Sequence, residues 1–283
     1  MKKIHEAIIE KFLLISAVVA VLVVLLITYF IFADGFPVMQ KYGLTHFIAN
    51  SDWHPLDKHF GLLSMIVGSF LVTFGALLLG VPLSVGCAIF LAEIAPKGVT
   101  RIVRPAIELL AGIPSVVYGF YGLIILVPLI REIFGGRGFS ILGGSIVLAI
   151  MILPTVINIS EDAIRAVPRE YKEGSLALGA THWQTIKKVI VPSARSGILT
   201  AIVLGMGRAI GETMAVIMVV GNVASLPKGI LEPVRTLTGN IAIEMGYAAG
   251  EHSQALFATG IVLFVIIMIL NFMVMLVPKR IGE

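Results

Sequence analysis

Long runs of apolar residues alternate along this chain with shorter polar segments that carry most of its charges. A helix needs about 20 apolar residues to cross a bilayer, so runs of this length predict membrane-spanning helices. The second run is too long for one perpendicular helix, and we expect Pro82 to kink it or its end to project from the bilayer. Six spans are predicted, at residues 12–32, within 61–92, and at 113–130, 141–159, 197–220 and 256–277.

This pattern predicts an all-α polytopic membrane protein with two parts. Residues 1–60 are expected to form an N-terminal anchor span followed by an outer loop, and residues 61–283 a core domain. The first apolar run is longer than the core of a signal peptide and lacks a convincing cleavage site of small residues. We therefore expect it to be retained as a membrane anchor.

A polar, charged segment at residues 168–192 carries its own signals for two short helices. Pro168 suits the first position of a helix, because its missing N–H would be unpaired there. Gly179 suits the left-handed residue that ends this helix. Thr181 and Gln184 match a capping box at the start of the second helix. We expect a structured helix–turn–helix that is presented to another molecule.

Composition and charge agree with a membrane protein. Hydrophobic residues make up 58% of the 283 residues and charged residues 13%, whereas soluble domains have about 25% charged residues. With the N-terminus inside, 14 of the 21 Lys and Arg residues fall in inner segments, six in outer loops and Arg208 within a span. This distribution places both termini and the loop 168–192 on the cytoplasmic side. It also accounts for the net charge of +4 without any nucleic-acid partner.

The sequence contains no recognisable catalytic or cofactor-binding motif. It has no Gly-x-x-x-x-Gly-Lys-Ser/Thr phosphate loop, no Gly-x-Ser-x-Gly elbow and no His-Glu-x-x-His helix. The single cysteine, Cys87, provides no disulfide, and His46, His54 and His59 fit no metal-ligand spacing. We predict a protein that is not an enzyme and binds no cofactor or metal. Any driving energy must come from a nucleotide-hydrolysing partner or from an ion gradient.

Several polar and aromatic residues are expected to be structural. Tyr42 and Trp53, in and near the outer loop, are expected at the membrane interface. Glu161 and Asp162 follow Ser160, which is a plausible helix cap, and acidic residues are favourable in the first turn of a helix. We therefore interpret these three residues as the start of a helix.

One pair of charges lies inside the fifth predicted span. Arg208 and Glu212 are four residues apart, which places them on one face of a continuous helix. A charge at the bilayer centre costs at least about 2.5–3.5 kcal/mol, so ionisable groups there face a cavity or a partner. Gly205, Gly207 and Gly211 remove bulk from the same neighbourhood and permit the close approach of a helix or a ligand.

The residues alone leave two interpretations of this pair open. Arg208 offers a planar fork that matches two oxygens of a tetrahedral oxyanion, and Glu212 would accept the O–H of an anion that carries a proton. Phosphate carries a proton near neutral pH, whereas sulfate does not. Alternatively, the two charges form an ion pair that eases helix insertion or locks two helices together. Thr155 and Asn158 are candidates for the same pathway or for interhelical hydrogen bonds, since Pro154 frees backbone groups nearby.

The loop has a spacing that belongs to a known family. Glu173, Gly174 and Ser175 are followed after three residues by Gly179, and residues 189–192 read Val-Ile-Val-Pro. This resembles the signature loop of ABC importer permeases, which reads Glu-Ala-Ala, three residues, Gly, nine residues, Ile, one residue, Leu-Pro. Small or apolar residues replace two alanines, the isoleucine and the leucine. In that family the loop is a coupling helix that docks into a groove on a cytoplasmic ATPase.

The resemblance implies roles for further loop residues. Trp183, Ile186 and Ile190 fall on one predicted helix face, which we expect to pack on the cytoplasmic ends of the spans and turn the opposite face toward the ATPase. The residues expected to couple to the ATPase are Tyr171, Glu173, Gly179 and Thr181.

Further strings are similar to the phosphate-specific ABC importer permeases of the PstC type. They read GRAIGETMAV at 207–216, VGN at 220–222, AGIPSVVYG at 111–119, SEDAIRAVP at 160–168 and TLTGNIA at 236–242. The resemblance implies the type I (MetI-like) permease fold in a prokaryotic inner membrane. It also implies a heterodimer with a second homologous permease, two copies of an ATPase that binds the ATP, and an extracytoplasmic phosphate-binding protein. It ties Arg208 and Glu212 to transport.

Three alternatives to a phosphate permease stay open at this point. A permease of the same class for sulfate or molybdate would share the loop and the fold. An ion-gradient-driven secondary transporter would need no contact with an ATPase. A membrane scaffold or sensor component would not transport anything.

Overall fold

The computed structural model describes the backbone of residues 2–276 and the side chains of residues 9–272, and this part of the chain is mostly helical. The α-helices are α1 Lys2–Tyr42, α2 Leu44–Ala49, α3 Leu63–Ile89, α4 Lys97–Gly112, α5 Ser115–Tyr121, α6 Val127–Phe134, α7 Ile141–Arg165, α8 Arg169–Ala177, α9 His182–Thr185, α10 Val191–Ser193, α11 Arg195–Gly211, α12 Met214–Val220, α13 Leu237–Glu244 and α14 Glu251–Leu276. The remaining elements are the π-helical segments Phe90–Ile94, Gly122–Leu126 and Ile186–Ile190, the 3-10 turn Pro55–Asp57, and the antiparallel strands β1 Trp53–His54 and β2 His59–Phe60.

Five helical segments are long and apolar enough to cross a membrane, and they confirm five of the six predicted spans. The first extends to Tyr42, about ten residues beyond its predicted end, so the start of the predicted outer loop is helical. The five segments are Ile9–Tyr42, Leu63–Ile94, Ser115–Phe134, Ile141–Arg165 and Glu251–Phe272.

The fifth predicted span, residues 197–220, is broken rather than continuous. Helix α11 ends at Gly211 and α12 begins at Met214, with Glu212 in an extended conformation between them. At its other end, α11 meets the segment His182–Ser193 at an angle of 66°. The prediction of one continuous helix is therefore wrong, although the stretch still runs through the bundle in two pieces.

Both pieces of this stretch run antiparallel to α7, and glycines permit the close approach. A Cβ added at Gly205 of α11 would lie 2.7 Å from Cγ2 of Val156 in α7. A Cβ added at Gly144 of α7 would lie 2.6 Å from Cγ1 of Val220 at the end of α12. Small residues at such crossings let helix backbones pack directly on each other. The break after Gly211 therefore lies opposite the middle of α7, near half the depth of the bundle.

One end of the bundle is closed by a polar cluster around the buried Glu244. Its carboxylate accepts hydrogen bonds from Trp53 Nε1 at 2.8 Å and Arg235 Nη1 at 2.5 Å, and it lies 2.8 Å from His252 Nε2. Trp53 is 5% exposed, so its predicted place at the membrane interface is wrong. Paired buried charges of this kind hold separate segments together, here the β-hairpin, α13 and the start of α14.

The opposite end contains a second buried carboxylate, Glu161 of α7. It accepts hydrogen bonds from Arg104 of α4 and, at 2.9 Å, from Arg165 Nε. Helix α7 continues to Arg165, so the interpretation of Ser160, Glu161 and Asp162 as a helix start is wrong. The acidic group ties α4 to the end of α7 instead of capping a helix.

Candidate transport site and coupling loop

Arg208 lies in the last turn of α11, next to the middle of α7. Its Nη1 donates a hydrogen bond of 3.4 Å to Oγ1 of Thr155, which is half-buried. The guanidinium itself is exposed on the surface of this single chain. Asn158, one turn further along α7, is exposed as well. The structure therefore brings Arg208 and Thr155 together and places Asn158 on the neighbouring turn.

Glu212 does not share a helix face with Arg208. It follows the last residue of α11, and one of its carboxylate oxygens accepts a 3.3 Å hydrogen bond from the backbone N–H of Ala215 in α12. Among the residues whose side chains are described, no ion pair joins Glu212 to Arg208. The predicted common face and the alternative of an intrahelical ion pair are both wrong, because the helix ends between the two residues.

The break between α11 and α12 is fixed by a residue that sequence reasoning missed. The buried Thr238, at the start of α13, donates its hydroxyl to the backbone oxygen of Glu212 at 2.9 Å. Backbone that leaves a helix at membrane depth must be buried in protein or line an aqueous cavity, since lipid offers it no partner. Discontinuous helices near the middle of the bilayer are a recurring way to build substrate sites in transporters.

The surroundings of Arg208 are open. A Cβ added at Gly207 or at Gly211 would meet no heavy atom within 4 Å. Unlike Gly205, these two glycines therefore do not serve helix packing against the residues that the structure describes. An exposed guanidinium at half the depth of a membrane bundle cannot face lipid at an acceptable cost. This surface must be covered by another protein or by water.

The loop between α7 and α11 has the local structure that its sequence predicts. Gly179 has a φ of 84°, in the left-handed region, after α8. The Thr181 hydroxyl accepts from the N–H of Gln184 at 3.2 Å, and the Gln184 side chain accepts from the N–H of Thr181 at 2.9 Å. The capping box is confirmed. Pro168 lies just before the first helical residue rather than at it, so α8 begins one residue later than expected.

One face of the loop packs on the bundle, but not as predicted in every detail. Ile186 and Ile190 are each 1% exposed and pack with Ile164 at the end of α7. Trp183 is 62% exposed, so its predicted packing is wrong. The π-helical segment that begins at Ile186 has more residues per turn than an α-helix. Trp183 and the residues after Ile186 therefore do not keep the α-helical spacing that the prediction assumed.

A tether that sequence reasoning missed joins the loop to the end of α3. Lys172 Nζ lies 2.5 Å from Oε2 of Glu93, and His182 Nε2 lies 3.8 Å from the same oxygen. Glu93 belongs to the π-helical end of the second span. Lys172 thus anchors the first short helix of the loop to a carboxylate at the end of a span, and His182 of the second short helix lies near the same carboxylate.

The outer face of the loop is exposed in this single chain. It presents apolar side chains beside a carboxylate and a capping hydroxyl, a mixture common at protein–protein interfaces. Its exposed residues include Tyr171, Glu173, Leu178, Gly179, Thr181 and Trp183. Leu178, at 91% exposure, is the most prominent of its apolar members.

Residues 80–283 match a family described as "Binding-protein-dependent transport system inner membrane component". The chain is 45% identical over 246 residues to "Probable ABC transporter permease protein YqgH" of Bacillus subtilis (strain 168), covering 84% of this chain and 80% of that protein. It is 38% identical over 261 residues to "Phosphate transport system permease protein PstC" of Pasteurella multocida (strain Pm70), covering 84% of this chain and 82% of that protein.

Solved structures of ABC transporters have a similar fold. A chain from "Inward facing conformations of the MetNI methionine ABC transporter" superposes with a TM-score of 0.61 at 20% identity, covering 79% of this chain and 96% of that one. A chain from a bacterial ABC transporter involved in import of the acidic polysaccharide alginate has a TM-score of 0.64 at 18% identity, covering 98% and 100%. The predicted MetI-like permease fold is confirmed.

Proposed function

The chain belongs to the family of inner-membrane components of binding-protein-dependent transport systems, and from this we propose that it is a permease subunit of an ATP-driven importer of inorganic phosphate. One structural observation carries the assignment of the transport site. Arg208 is an exposed cation at half the depth of a membrane bundle, beside a broken helix and two glycines with open space around them. Such a charge requires a polar surface opposite it, and a pathway for an anion provides one.

The chemistry around Arg208 suits a protonated tetrahedral oxyanion. The guanidinium donates a fork of N–H groups that matches two phosphate oxygens. Thr155 holds it from one side at 3.4 Å, which leaves most of its donors available to a ligand. The Ala215 N–H occupies one oxygen of Glu212, and in this proposal the other accepts the O–H of a hydrogen phosphate ion. Sulfate carries no proton near neutral pH. Its negative oxygen would therefore repel the Glu212 carboxylate instead of donating a hydrogen bond to it.

The partners of this chain follow from its family and from its exposed surfaces. A second, homologous permease subunit covers the face that carries Arg208, and phosphate passes between the two. Two copies of an ATPase bind the paired permeases on the cytoplasmic side, where both termini also lie, and one of them docks on the loop 168–192. An extracytoplasmic phosphate-binding protein delivers the anion to the other side. This chain holds no cofactor of its own, and ATP is bound by the ATPase.

The proposed mechanism is alternating access. ATP binding closes the two ATPase subunits, and their movement reaches the loop through its exposed face. The loop passes the movement to α3 through Lys172 and Glu93, and to α7 and α11 through the buried Ile186 and Ile190. Rigid-body motion of the spans then opens the cavity around Arg208 outward and, after hydrolysis, inward. Arg208 holds the anion only briefly, since tight binding would prevent release.

An uptake assay with the reconstituted complex tests this function. Proteoliposomes that contain both permeases and the ATPase, supplied with the binding protein outside and ATP inside, are expected to accumulate radiolabelled phosphate. Excess unlabelled sulfate or molybdate should not compete. Competition by sulfate would favour a permease for another oxyanion, and uptake that requires an ion gradient instead of ATP would favour a secondary transporter.

The left-handed residue of the loop supports a prediction about ATPase binding. A side chain at the φ of Gly179 costs about 1–2 kcal/mol in a non-glycine residue, so Gly179→Val should distort the loop. Binding of the ATPase would then have to restore the native shape of the loop, and this cost would be subtracted from the binding free energy. The affinity of the ATPase for membrane vesicles should therefore fall about tenfold. Sedimentation of purified ATPase with vesicles that contain the permease complex measures this affinity.

Gly174 provides the matched control for this change. A Cβ at Gly174 would also meet no atom within 4 Å, but its backbone is helical, so Gly174→Ala should leave the affinity unchanged. Gly179→Asn should be milder than Gly179→Val, because Asn adopts the left-handed region more readily. Equal affinities for Gly179→Val and the parent would show that the conformation of this residue is not needed for docking.

A further inference from the structure

A second basic feature, which does not include Arg208, lies at the end of the bundle where the coupling loop packs. A cleft of about 540 Å³ opens between α4 and the ends of the second and fourth spans. Its lining includes the cationic side chains of Lys97, Arg101, Arg104 and Arg165, and the acidic side chain of Glu108. The transport site proposed above makes no use of this cleft.

The charge at the base of the cleft is unbalanced. The buried carboxylate of Glu161 accepts hydrogen bonds from both Arg104 and Arg165, so one negative charge serves two guanidiniums. Arg165 donates a further hydrogen bond of 3.0 Å to the backbone oxygen of Leu91. Arg104 Nε is buried and has no acceptor among the described residues. A buried donor without a partner is unfavourable, and a shift of the guanidinium toward the cleft would let an anion bound there supply the missing acceptor.

The mouth of the cleft adds two more cations. Lys97 and Arg101 lie one turn apart at the start of α4, and both are exposed. Neither forms an ion pair within the part of the chain whose side chains are described. Four cations thus surround one opening, against three nearby carboxylates: Glu108 at the rim, Glu161 paired with Arg104 and Arg165, and its neighbour Asp162. The net positive charge attracts an anion with several oxygens.

The apolar residues of α4 indicate the depth of the cleft in the membrane. Ile102 and Leu109 are each 74% exposed, and their spacing of seven residues places them on one face of the helix. A helix with one charged face and one exposed apolar face lies at the boundary between headgroups and acyl chains. From this pattern we expect the cleft to lie at the level of lipid phosphates, on the side that faces the aqueous phase.

We propose that this cleft is a binding site for a phosphate group, carried either by an anionic lipid headgroup or by a free phosphate ion. Arg104 and Arg165 would hold the phosphoryl oxygens through their unused N–H donors, since guanidinium forks match this geometry. Lys97 and Arg101 would close over the anion from the mouth of the cleft. This site is separate from Arg208, and its existence does not depend on which anion the protein transports.

The test is a titration of the purified, delipidated permease complex with short-chain phosphatidylglycerol, followed by native mass spectrometry, with phosphatidylcholine as the uncharged comparison. The double variant Lys97→Gln/Arg101→Gln should bind phosphatidylglycerol about tenfold more weakly than the parent, because it loses two cations near the lipid phosphate. The opposite change, Glu108→Gln, removes a repelling charge and should strengthen binding severalfold.

A second double variant controls for net charge. Lys11 and Arg195 are exposed, lie outside the cleft and make no ion pair among the described side chains, so Lys11→Gln/Arg195→Gln loses the same charge. It should bind phosphatidylglycerol like the parent. If both double variants bound phosphatidylglycerol equally weakly, the effect would come from the general surface charge, and the proposal would be overturned.

Equilibrium dialysis with radiolabelled inorganic phosphate distinguishes the two sources of the phosphate group. It is done in the Arg208→Gln background, so that the transport site does not contribute. Phosphate binding that disappears with Lys97→Gln/Arg101→Gln assigns the site to the free ion, and loss of phosphatidylglycerol binding alone assigns it to lipid. If Lys97→Gln/Arg101→Gln changes neither phosphatidylglycerol binding nor phosphate binding, the site does not exist, whatever the outcome of the uptake assay.

Discussion

Replacing Arg208 with Gln is expected to lower phosphate uptake by about 10- to 100-fold while the complex still assembles. Hydrogen bonds to charged groups contribute about 1.5–3 kcal/mol each, and a factor of ten corresponds to about 1.4 kcal/mol. Glutamine keeps a hydrogen-bonding group near Thr155 but loses the charge and the fork. The guanidinium is exposed and makes one weak contact within the described chain, so its removal should not disturb folding. Uptake into proteoliposomes measures the effect, and co-purification of the ATPase confirms assembly.

Two further variants separate charge from geometry at this site. Arg208→Lys keeps the charge but not the planar fork, so its uptake should lie between those of the parent and Arg208→Gln. Arg131→Gln removes an exposed arginine from the end of the third span and should leave uptake unchanged. Normal uptake by Arg208→Gln would rule out the proposed pathway, because Arg208 is the cation on which that pathway depends.

The elements that were predictable from sequence are those fixed by local chemistry or by the bilayer. Gly179 and the capping box at Thr181 were predictable because turn and cap geometry involve residues only a few positions apart. The spans were predictable because the thickness of the hydrocarbon core sets a minimum apolar length. Neither argument requires knowledge of which helices pack against each other.

The broken helix at Glu212 was not predictable in the same way. Apolar residues continue on both sides of Arg208 and Glu212 through residues 197–220, and no proline marks the break. The helix ends there because Thr238, 26 residues further along the chain, donates to the Glu212 backbone oxygen, while the Glu212 side chain accepts from Ala215. The first of these contacts is tertiary, so it overrides a pattern that on its own favours a continuous helix.

Glu161 illustrates the reverse error. Ser160, Glu161 and Asp162 have the composition of a helix start, yet α7 passes through them. Ile157 and Ile164 on either side are 5% and 1% exposed, so burial holds the helix together across the polar residues. Arg104, 57 residues earlier in the chain, then supplies a partner for the carboxylate. Sequence patterns did not reveal this pairing, and the basic cleft above it was missed for the same reason.

The second large effect is expected at the coupling loop, where Glu173→Lys should release the ATPase and abolish uptake. Glu173 is exposed on α8 beside apolar side chains, so docking would take its carboxylate out of water. A desolvated carboxylate needs a cationic partner, and the variant would place two cations together instead. Like charges at an interface cost several kcal/mol, so ATPase affinity should fall by at least about 30-fold. Sedimentation with membrane vesicles measures the affinity.

The same charge change near the end of the third span, away from the coupling loop, serves as the control. Glu132 is exposed on α6, away from the loop, so Glu132→Lys should bind ATPase and take up phosphate like the parent. Arg208→Gln should still bind the ATPase but lose phosphate uptake, whereas Glu173→Lys should lose both ATPase binding and uptake. If Glu173→Lys retained the ATPase and full uptake, the loop would not be the docking site, and its exposed face would need another partner.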